Sequence, residues 1–460
     1  MGNAAPSYSF DRAGRLIGAF EGGRNYRRGL DNRVLQKWSQ AGVRQRRWLA
    51  PDEARTFLEA VYRLADEIAA ASGDSRLDAL RGWDWARLQA DAAQFAMVYR
   101  PVSILPPDQY LELALQATEG CSHNRCTFCD FYRGRPFRIK TPEELRAHVA
   151  AVRAFFGPAV ALRKSLFLAD ANALVAQMAR LRSWLDVIEA ERILPPGAGI
   201  YSFMDAFDVH RKTIAEWGEL ATRGLRRVYI GMETGDDALL RWLVKPGAVA
   251  DVIEAVATLK SAGVAVSVIV MTGSGGDRFA AAHVYGTINA LNAMPLGAGD
   301  IVYFSPFVDH PGSEYSRLAA EAGIRPLDDA EIASQEAVIR AGLRFHDPAH
   351  PPQCAKYDIR EFIYLWRFPS GKINEIQALV RNGLYYLAEH ALDEADDDDF
   401  DIYDVEHGIL TGKIRRTWAR EGKEAIIGRA LDGRPIGAVC RITQAGKVRV
   451  ITVYEDMPLA

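Results

Sequence analysis

Between residues 110 and 308 the chain repeats one unit, a short apolar strand followed by an amphipathic helix, and that repetition restricts the folds open to it. Strands are predicted at 110–118, 162–169, 199–203, 227–233, 264–272 and 301–308. They are rich in Val, Ile, Leu and Tyr, and several are apolar almost throughout, as strands buried on both faces are. Helical periodicity fills the intervals. Over 141–155, Thr141 stands as N-cap with Pro142 at the first helical position; over 249–261, Gly263 follows the last turn. Strand and helix alternating about six times predicts an α/β fold, a parallel sheet with outer helices, open or barrel-like. Functional sites of such folds lie at the carboxyl ends of the strands.

Directly after the first predicted strand comes Gly120-Cys121-Ser122-His123-Asn124-Arg125-Cys126-Thr127-Phe128-Cys129-Asp130. This C-x4-C-x2-C run holds three of the chain's five cysteines and lets one loop present three convergent thiolates. Three thiolates suit a [4Fe–4S] cube with one iron left unligated. Three cysteines with His123 suit zinc, and reduced thiols in a turn are the remaining reading. An odd number of cysteines, three of them clustered, is no disulfide framework and fits a reducing compartment. Cys354 and Cys440 stand apart, too few for an auxiliary cluster.

A length of 460 residues accommodates about three domain-sized units. The formal charge of −3 does not by itself point to nucleic acid. The start, Met1-Gly2-Asn3-Ala4-Ala5-Pro6, lacks the basic and apolar regions of a signal peptide, and no apolar run approaches the ~18 residues of a membrane span. The expectation is a cytoplasmic protein with no membrane partner.

Four stretches, in order, accompany the cysteine run. They are Gln116-Ala117-Thr118-Glu119-Gly120-Cys121, Phe167-Leu168-Ala169-Asp170-Ala171-Asn172, Val228-Tyr229-Ile230-Gly231-Met232-Glu233-Thr234-Gly235, and Val268-Ile269-Val270-Met271-Thr272-Gly273-Ser274-Gly275-Gly276. With them, residues 106–315 resemble the radical S-adenosylmethionine (radical SAM) superfamily, most closely the branch of oxygen-independent coproporphyrinogen oxidase and the elongator catalytic subunit. The resemblance implies a partial (β/α)6 TIM-like barrel and an iron–sulfur oxidoreductase-like enzyme. It implies a [4Fe–4S] cluster held by Cys121, Cys126 and Cys129, and S-adenosylmethionine cleaved reductively to a 5′-deoxyadenosyl radical that abstracts hydrogen from an unidentified substrate. A reduced flavodoxin- or ferredoxin-type protein is the implied electron donor. Phe128 is implied to lie against adenine, Glu233 to contact the cofactor from the fourth strand, and Lys245 to pair with its carboxylate. The alternative from another class is a zinc- or cluster-stabilised binding or scaffold protein without radical chemistry.

The departures carry information too. The superfamily's usual first gap is three residues, and here it is four. No Gly-Gly-Glu stands on the second strand, so Asp170 or backbone carbonyls are assigned to the cofactor amino group. Ile269 stands where coproporphyrinogen oxidases carry a ribose-binding aspartate, so that strand is expected to give backbone and apolar contacts to adenine.

The expected division is a helical amino-terminal extension over 1–105, a radical SAM core over 106–320, a helical connecting segment over 321–380 and a small α+β domain over 381–460. In the first segment Pro51-Asp52-Glu53 opens a helix with apolar positions at Phe57, Val61, Leu64 and Ile68. Before it stand Arg24, Arg27, Arg28, Arg33, Lys37, Arg44, Arg46 and Arg47, interleaved with Tyr26, Trp38 and Trp48. Three readings of this stretch stay open: RNA binding, pairing with the acidic run 393–406, or a solvated face. From about residue 382 the chain resembles a small bacterial domain family of unknown function related to ribonuclease-like toxins. The resemblance rests on Leu387-Ala388-Glu389-His390-Ala391, on Tyr403-Asp404-Val405 through Gly412-Lys413-Ile414, and on strands predicted at 425–430, 436–442 and 448–454 with Gly433 and Gly446 in the turns. His390 reads as a buried hydrogen-bonded residue or a relic catalytic one, and the domain as a recognition module.

Overall fold

A computed structural model describes residues 5–456 apart from 41–42, 101, 103, 111, 130, 133–134, 194–196, 310–312, 362–375, 377–379, 381–384, 419–422 and 444–447. Residues 362–375 and 377–379 of the expected connecting segment, and Gly446, lie outside the described residues. The chain divides into two compact units. One joins Met1–Pro101, Ala151–Lys164 and Ile363–Ala460, and the other joins Val102–Ala150 and Ser165–Phe362.

The amino-terminal segment is not the helical extension expected from its sequence. It opens with a five-stranded antiparallel meander, β1 (Ser7–Phe10), β2 (Leu16–Glu21), β3 (Arg24–Arg28), β4 (Val34–Gln40) and β5 (Val43–Trp48). Gly22 and Gly23, both at positive φ (61° and 74°), form the tight turn between β2 and β3. Strand β3 buries Arg27 and Arg28, on opposite faces, where an apolar alternation would have announced a strand. Helices α1 (Pro51–Ser72) and α2 (Trp85–Val98) follow. In α1 the buried stripe is Leu58, Val61, Tyr62, Ala65 and Ala69, while Leu64 and Ile68 are exposed, contrary to the expected pattern.

The second unit holds the predicted α/β core. Strands β6 (Leu113–Gln116), β9 (Leu166–Ala169), β10 (Ile200–Met204), β11 (Leu225–Glu233), β12 (Ala265–Thr272), β13 (Ile301–Pro306) and β14 (Gln353–Lys356) pair in parallel and in chain order. The sheet therefore has seven strands, one more than predicted. Between β6 and β9, the short strands β7 (Thr118–Glu119) and β8 (Arg138–Ile139) pair as a ribbon and close the base of the cysteine loop. The unit's helices are α3 (Pro142–Phe156, which passes into the first unit from Ala151), α4 (Met178–Glu191), α5 (Ile214–Thr222), α6 (Asp237–Trp242), α7 (Val249–Ser261), α8 (Gly276–Ala293), α9 (Glu314–Glu321) and α10 (Asp329–Gly342). At the start of α3, Thr141 and Glu144 cap each other reciprocally, as the Thr-Pro start predicted. Every residue of β6, β9 and β13 is buried, the reason these strands read as unbroken apolar runs.

Near the carboxyl terminus, α11 (Glu389–Asp397) and α12 (Ile402–Thr411) pack on a sheet ordered β15 (Tyr385–Leu387), β19 (Val448–Glu455), β18 (Pro435–Ile442), β17 (Lys423–Arg429) and β16 (Lys413–Trp418). His390 is exposed on α11, not buried. This segment belongs to the same compact unit as the amino-terminal meander. Ser7 and Ser9 donate to the carbonyls of Asp432 and Leu431, Arg434 lies over the Phe20 ring, and Arg27 pairs with Asp404. The pairing of basic and acidic runs is thus realised, with Arg27 Nη2 donating to both Asp404 oxygens at 2.9 Å. Arg15 and Arg28 are spent on Asp91, and Arg47 on Glu53.

Candidate functional site

The cysteine loop leaves the carboxyl end of the first core strand. Gly120 has φ +77°, and a Cβ there would stand 2.9 Å from the Arg135 carbonyl, so only glycine turns the chain into the loop. Asp170, at the end of β9, holds both ends of that loop. Its Oδ2 accepts from Gly120 N and Arg135 Nη1, both at 3.2 Å, and its Oδ1 accepts from Gln116 Nε2 at 3.0 Å. The residue assigned from sequence to the cofactor amino group is therefore already committed to Gln116, Gly120 and Arg135.

Cys121, Cys126 and Cys129 are half-buried, and none of them forms a disulfide. Cys126 lies within electrostatic reach of Cys129, and Cys129 of Cys121. Desolvation pushes the thiols up, Cys126 to about 12 and Cys129 to about 11, while the cation of Lys245 pulls all three the other way. Burial of this kind keeps unliganded thiols protonated, so they become thiolate ligands only when positive charge arrives. His123 Nε2 lies 2.8 Å from the Val244 carbonyl oxygen. A carbonyl only accepts, so Nε2 carries the proton and is spent on the backbone. Among the described residues, no group of three or more His, Cys, Asp or Glu side chains has the geometry to hold a single metal ion. The soft three-thiol set in one loop fits a cluster with several irons better than one zinc.

Across the loop stands a charged triad. Lys245 Nζ lies 3.3 Å from Glu233 Oε1 and 3.4 Å from Asp205 Oδ1, with all three side chains at most 15% exposed. Burial opposes the lysine's charge, but Asp205 and Glu233 outweigh it and hold Lys245 protonated above the usual lysine range. Glu233 ends β11 at φ +62°, where the register with β12 is interrupted. A non-glycine residue there costs about 1–3 kcal/mol, and such outliers concentrate at working sites. Gly231 makes room for it: a Cβ there would collide with Glu233 Oε1 and stand 3.2 Å from Lys245 Nζ. Ile269 pairs in parallel register with Gly231, so it presents to the same face.

Sequence reasoning missed Asp205. It follows β10 directly, and its carboxyl-end position beside a predicted strand was the available signal. Asn172, fully buried, links it to the loop: Nδ2 donates to Ser122 Oγ (3.1 Å), Asp205 Oδ2 (3.3 Å) and Asp208 Oδ2 (2.7 Å). Asn172 Oδ1 is buried without a hydrogen-bond partner, an open acceptor beside the cysteine loop. Phe128 packs against a cluster that includes Leu239, Leu243, Met271 and Tyr315, remaining only partly buried.

Residues 115–280 match the Radical SAM superfamily, and residues 387–455 match a domain of unknown function, DUF4258. The chain thus carries a radical SAM domain, of a superfamily that works with a [4Fe–4S] cluster and S-adenosylmethionine. Among solved structures, it is similar to coproporphyrinogen III oxidase (HemN) from Escherichia coli at 12% identity, covering 76% of this chain and 69% of that one, with a TM-score of 0.39. It is also similar to methylornithine synthase (PylB) at 15% identity, covering 65% and 72%, with a TM-score of 0.35. A further likeness is to the cobalamin-dependent S-adenosylmethionine radical enzyme OxsB at 15% identity and a TM-score of 0.33; 51% of this chain spans about a third (32%) of that protein. The comparison with curated proteins finds no match. No helix among the described residues is long and apolar enough to cross a membrane.

Proposed function

We propose that this radical SAM domain holds a [4Fe–4S] cluster on Cys121, Cys126 and Cys129 and uses it with S-adenosylmethionine to start hydrogen abstraction from a substrate. The observation that carries the reading is the meeting of three half-buried thiols with the Asp205–Lys245–Glu233 triad at the carboxyl ends of the parallel strands. When bound, the cluster supplies the electron that breaks the sulfonium–C5′ bond of S-adenosylmethionine.

The chain's own residues bind and orient. Lys245 is held protonated and receives the methionyl carboxylate, while Glu233 and Asp205 fix its ammonium group. With both Asp170 oxygens engaged, the methionyl amino group falls to the open Asn172 Oδ1, and Asp170 serves to clamp the loop. Phe128 and Ile269 offer apolar contact to adenine, and Gly231 keeps the floor clear. A reduced flavodoxin- or ferredoxin-type protein delivers the electron. The test is anaerobic reconstitution with iron and sulfide. Cys126→Ala should fail to hold the cluster absorbance, whereas Cys354→Ala and Cys440→Ala should load like the wild type; normal loading of Cys126→Ala would overturn the ligand set.

A further inference from the structure

We propose that His123 is a positioning residue: by holding the Val244 carbonyl it fixes the neighbouring Lys245 against Glu233 and Asp205, and so joins the cysteine loop and the cofactor-binding lysine into one mechanical piece. The inference rests on the assignment of Lys245 to cofactor binding made above.

The segment 243–245 leaves the end of α6, with Val244 N donating to Arg241 O at 3.1 Å and Lys245 N to Leu240 O at 3.0 Å. Val244 has φ +55°. For a β-branched residue this left-handed conformation is an outlier that needs an external hold. Its own side chain supplies little, being 42% exposed. The hold comes from the carbonyls before and at Val244, and both are gripped by the cysteine loop. Leu243 O accepts from Thr127 N (2.9 Å) and Thr127 Oγ1 (3.3 Å), and Val244 O accepts from His123 Nε2 (2.8 Å).

The donors flank Cys126, and His123 lies within the four-residue first cysteine gap. Asn124, at φ +48°, turns the longer loop; its N–H points to Cys121 Sγ at 3.3 Å and its Nδ2 donates to Tyr132 O at 2.9 Å. If His123 lets go, Val244 is free to relax out of the left-handed region and carries Lys245 with it. Glycine at 244 adopts that conformation at no cost and makes the hold dispensable.

The test is a double-mutant cycle on His123 and Val244. On reconstituted protein, calorimetric titration with S-adenosylmethionine should show affinity weakened about five- to tenfold in His123→Ala, the worth of one hydrogen bond. His123→Gln, which keeps a donor, should restore it. Val244→Gly should bind like the wild type, and adding His123→Ala to it should cost much less. In the protein without cluster, the Lys245 amide should exchange faster in His123→Ala and recover in His123→Gln. Unchanged affinity and exchange in His123→Ala, or an equal loss in the Val244→Gly background, would overturn the proposal. Unchanged affinity in Lys245→Ala would instead overturn the assignment of Lys245, and the exchange of its amide would still decide the tether.

Discussion

Gly231 and Glu233 share one small volume: a methyl group on Gly231 would overlap the Glu233 carboxylate and press on Lys245. Gly231→Ala should therefore push Glu233 off its ion pair without touching a cysteine. The expected outcome is normal iron loading with S-adenosylmethionine affinity reduced by about 1.5–3 kcal/mol, the range for a hydrogen bond to a charged group. Calorimetric titration measures it, and an unperturbed affinity would show that Glu233 is not needed where it stands.

Asp205 makes a second prediction. Asp205→Ala removes one carboxylate from Lys245 and one acceptor from Asn172. Affinity should fall by about 1.5–3 kcal/mol. Asp170→Ala should act differently, loosening the loop and lowering iron content first, since its partners are Gly120, Arg135 and Gln116. The two variants are told apart by iron assay before any cofactor is added.

Much of this arrangement was legible in the sequence, and the gaps have physical causes. The buried strands announced themselves because both faces pack against apolar neighbours. Strand β14 did not: four residues long and only half-buried, Gln353-Cys354-Ala355-Lys356 gives no apolar run. The amino-terminal meander was hidden because Arg27, Arg28 and Lys37 are buried on it through ion pairs and long aliphatic stems, so its alternation is not apolar against polar. Gly22-Gly23 marks the turn between β2 and β3. In the site, spacing gave the cysteines and resemblance gave Glu233 and Lys245. Asp205 belongs to no repeated pattern; its place directly after a predicted strand was its signal, and its pairing with Lys245 emerges when β10 is laid beside β11.

His283 gives a pH dependence of stability. Fully buried on α8, it faces Thr234 Oγ1 at 2.7 Å, and desolvation lowers its pKa to about 4. A base whose folded pKa lies below its ordinary 6.5 stabilises fully above 6.5 and loses that contribution as pH falls toward 4. Between pH 7 and pH 5 the loss should be about 2 kcal/mol. Urea denaturation of wild type and His283→Gln at both pH values measures it; an equal change in the two proteins would exclude His283 as the source.

The two termini should stand or fall together. Asp404→Ala leaves the buried Arg27 guanidinium without its bidentate partner, and should destabilise the unit by about 3–5 kcal/mol. For the same reason, a chain ending near residue 380 should aggregate, since it exposes the face of the meander that carries Arg27. A soluble truncated chain with an unchanged denaturation midpoint would make the carboxy-terminal domain independent after all.

The central claim is tested most directly by anaerobic incubation of the reconstituted, reduced protein with S-adenosylmethionine, followed by chromatographic quantification of 5′-deoxyadenosine. The account predicts that the wild type forms 5′-deoxyadenosine and that Cys121→Ala, Cys126→Ala and Cys129→Ala form none. A colourless protein that holds one zinc and leaves S-adenosylmethionine intact would contradict it.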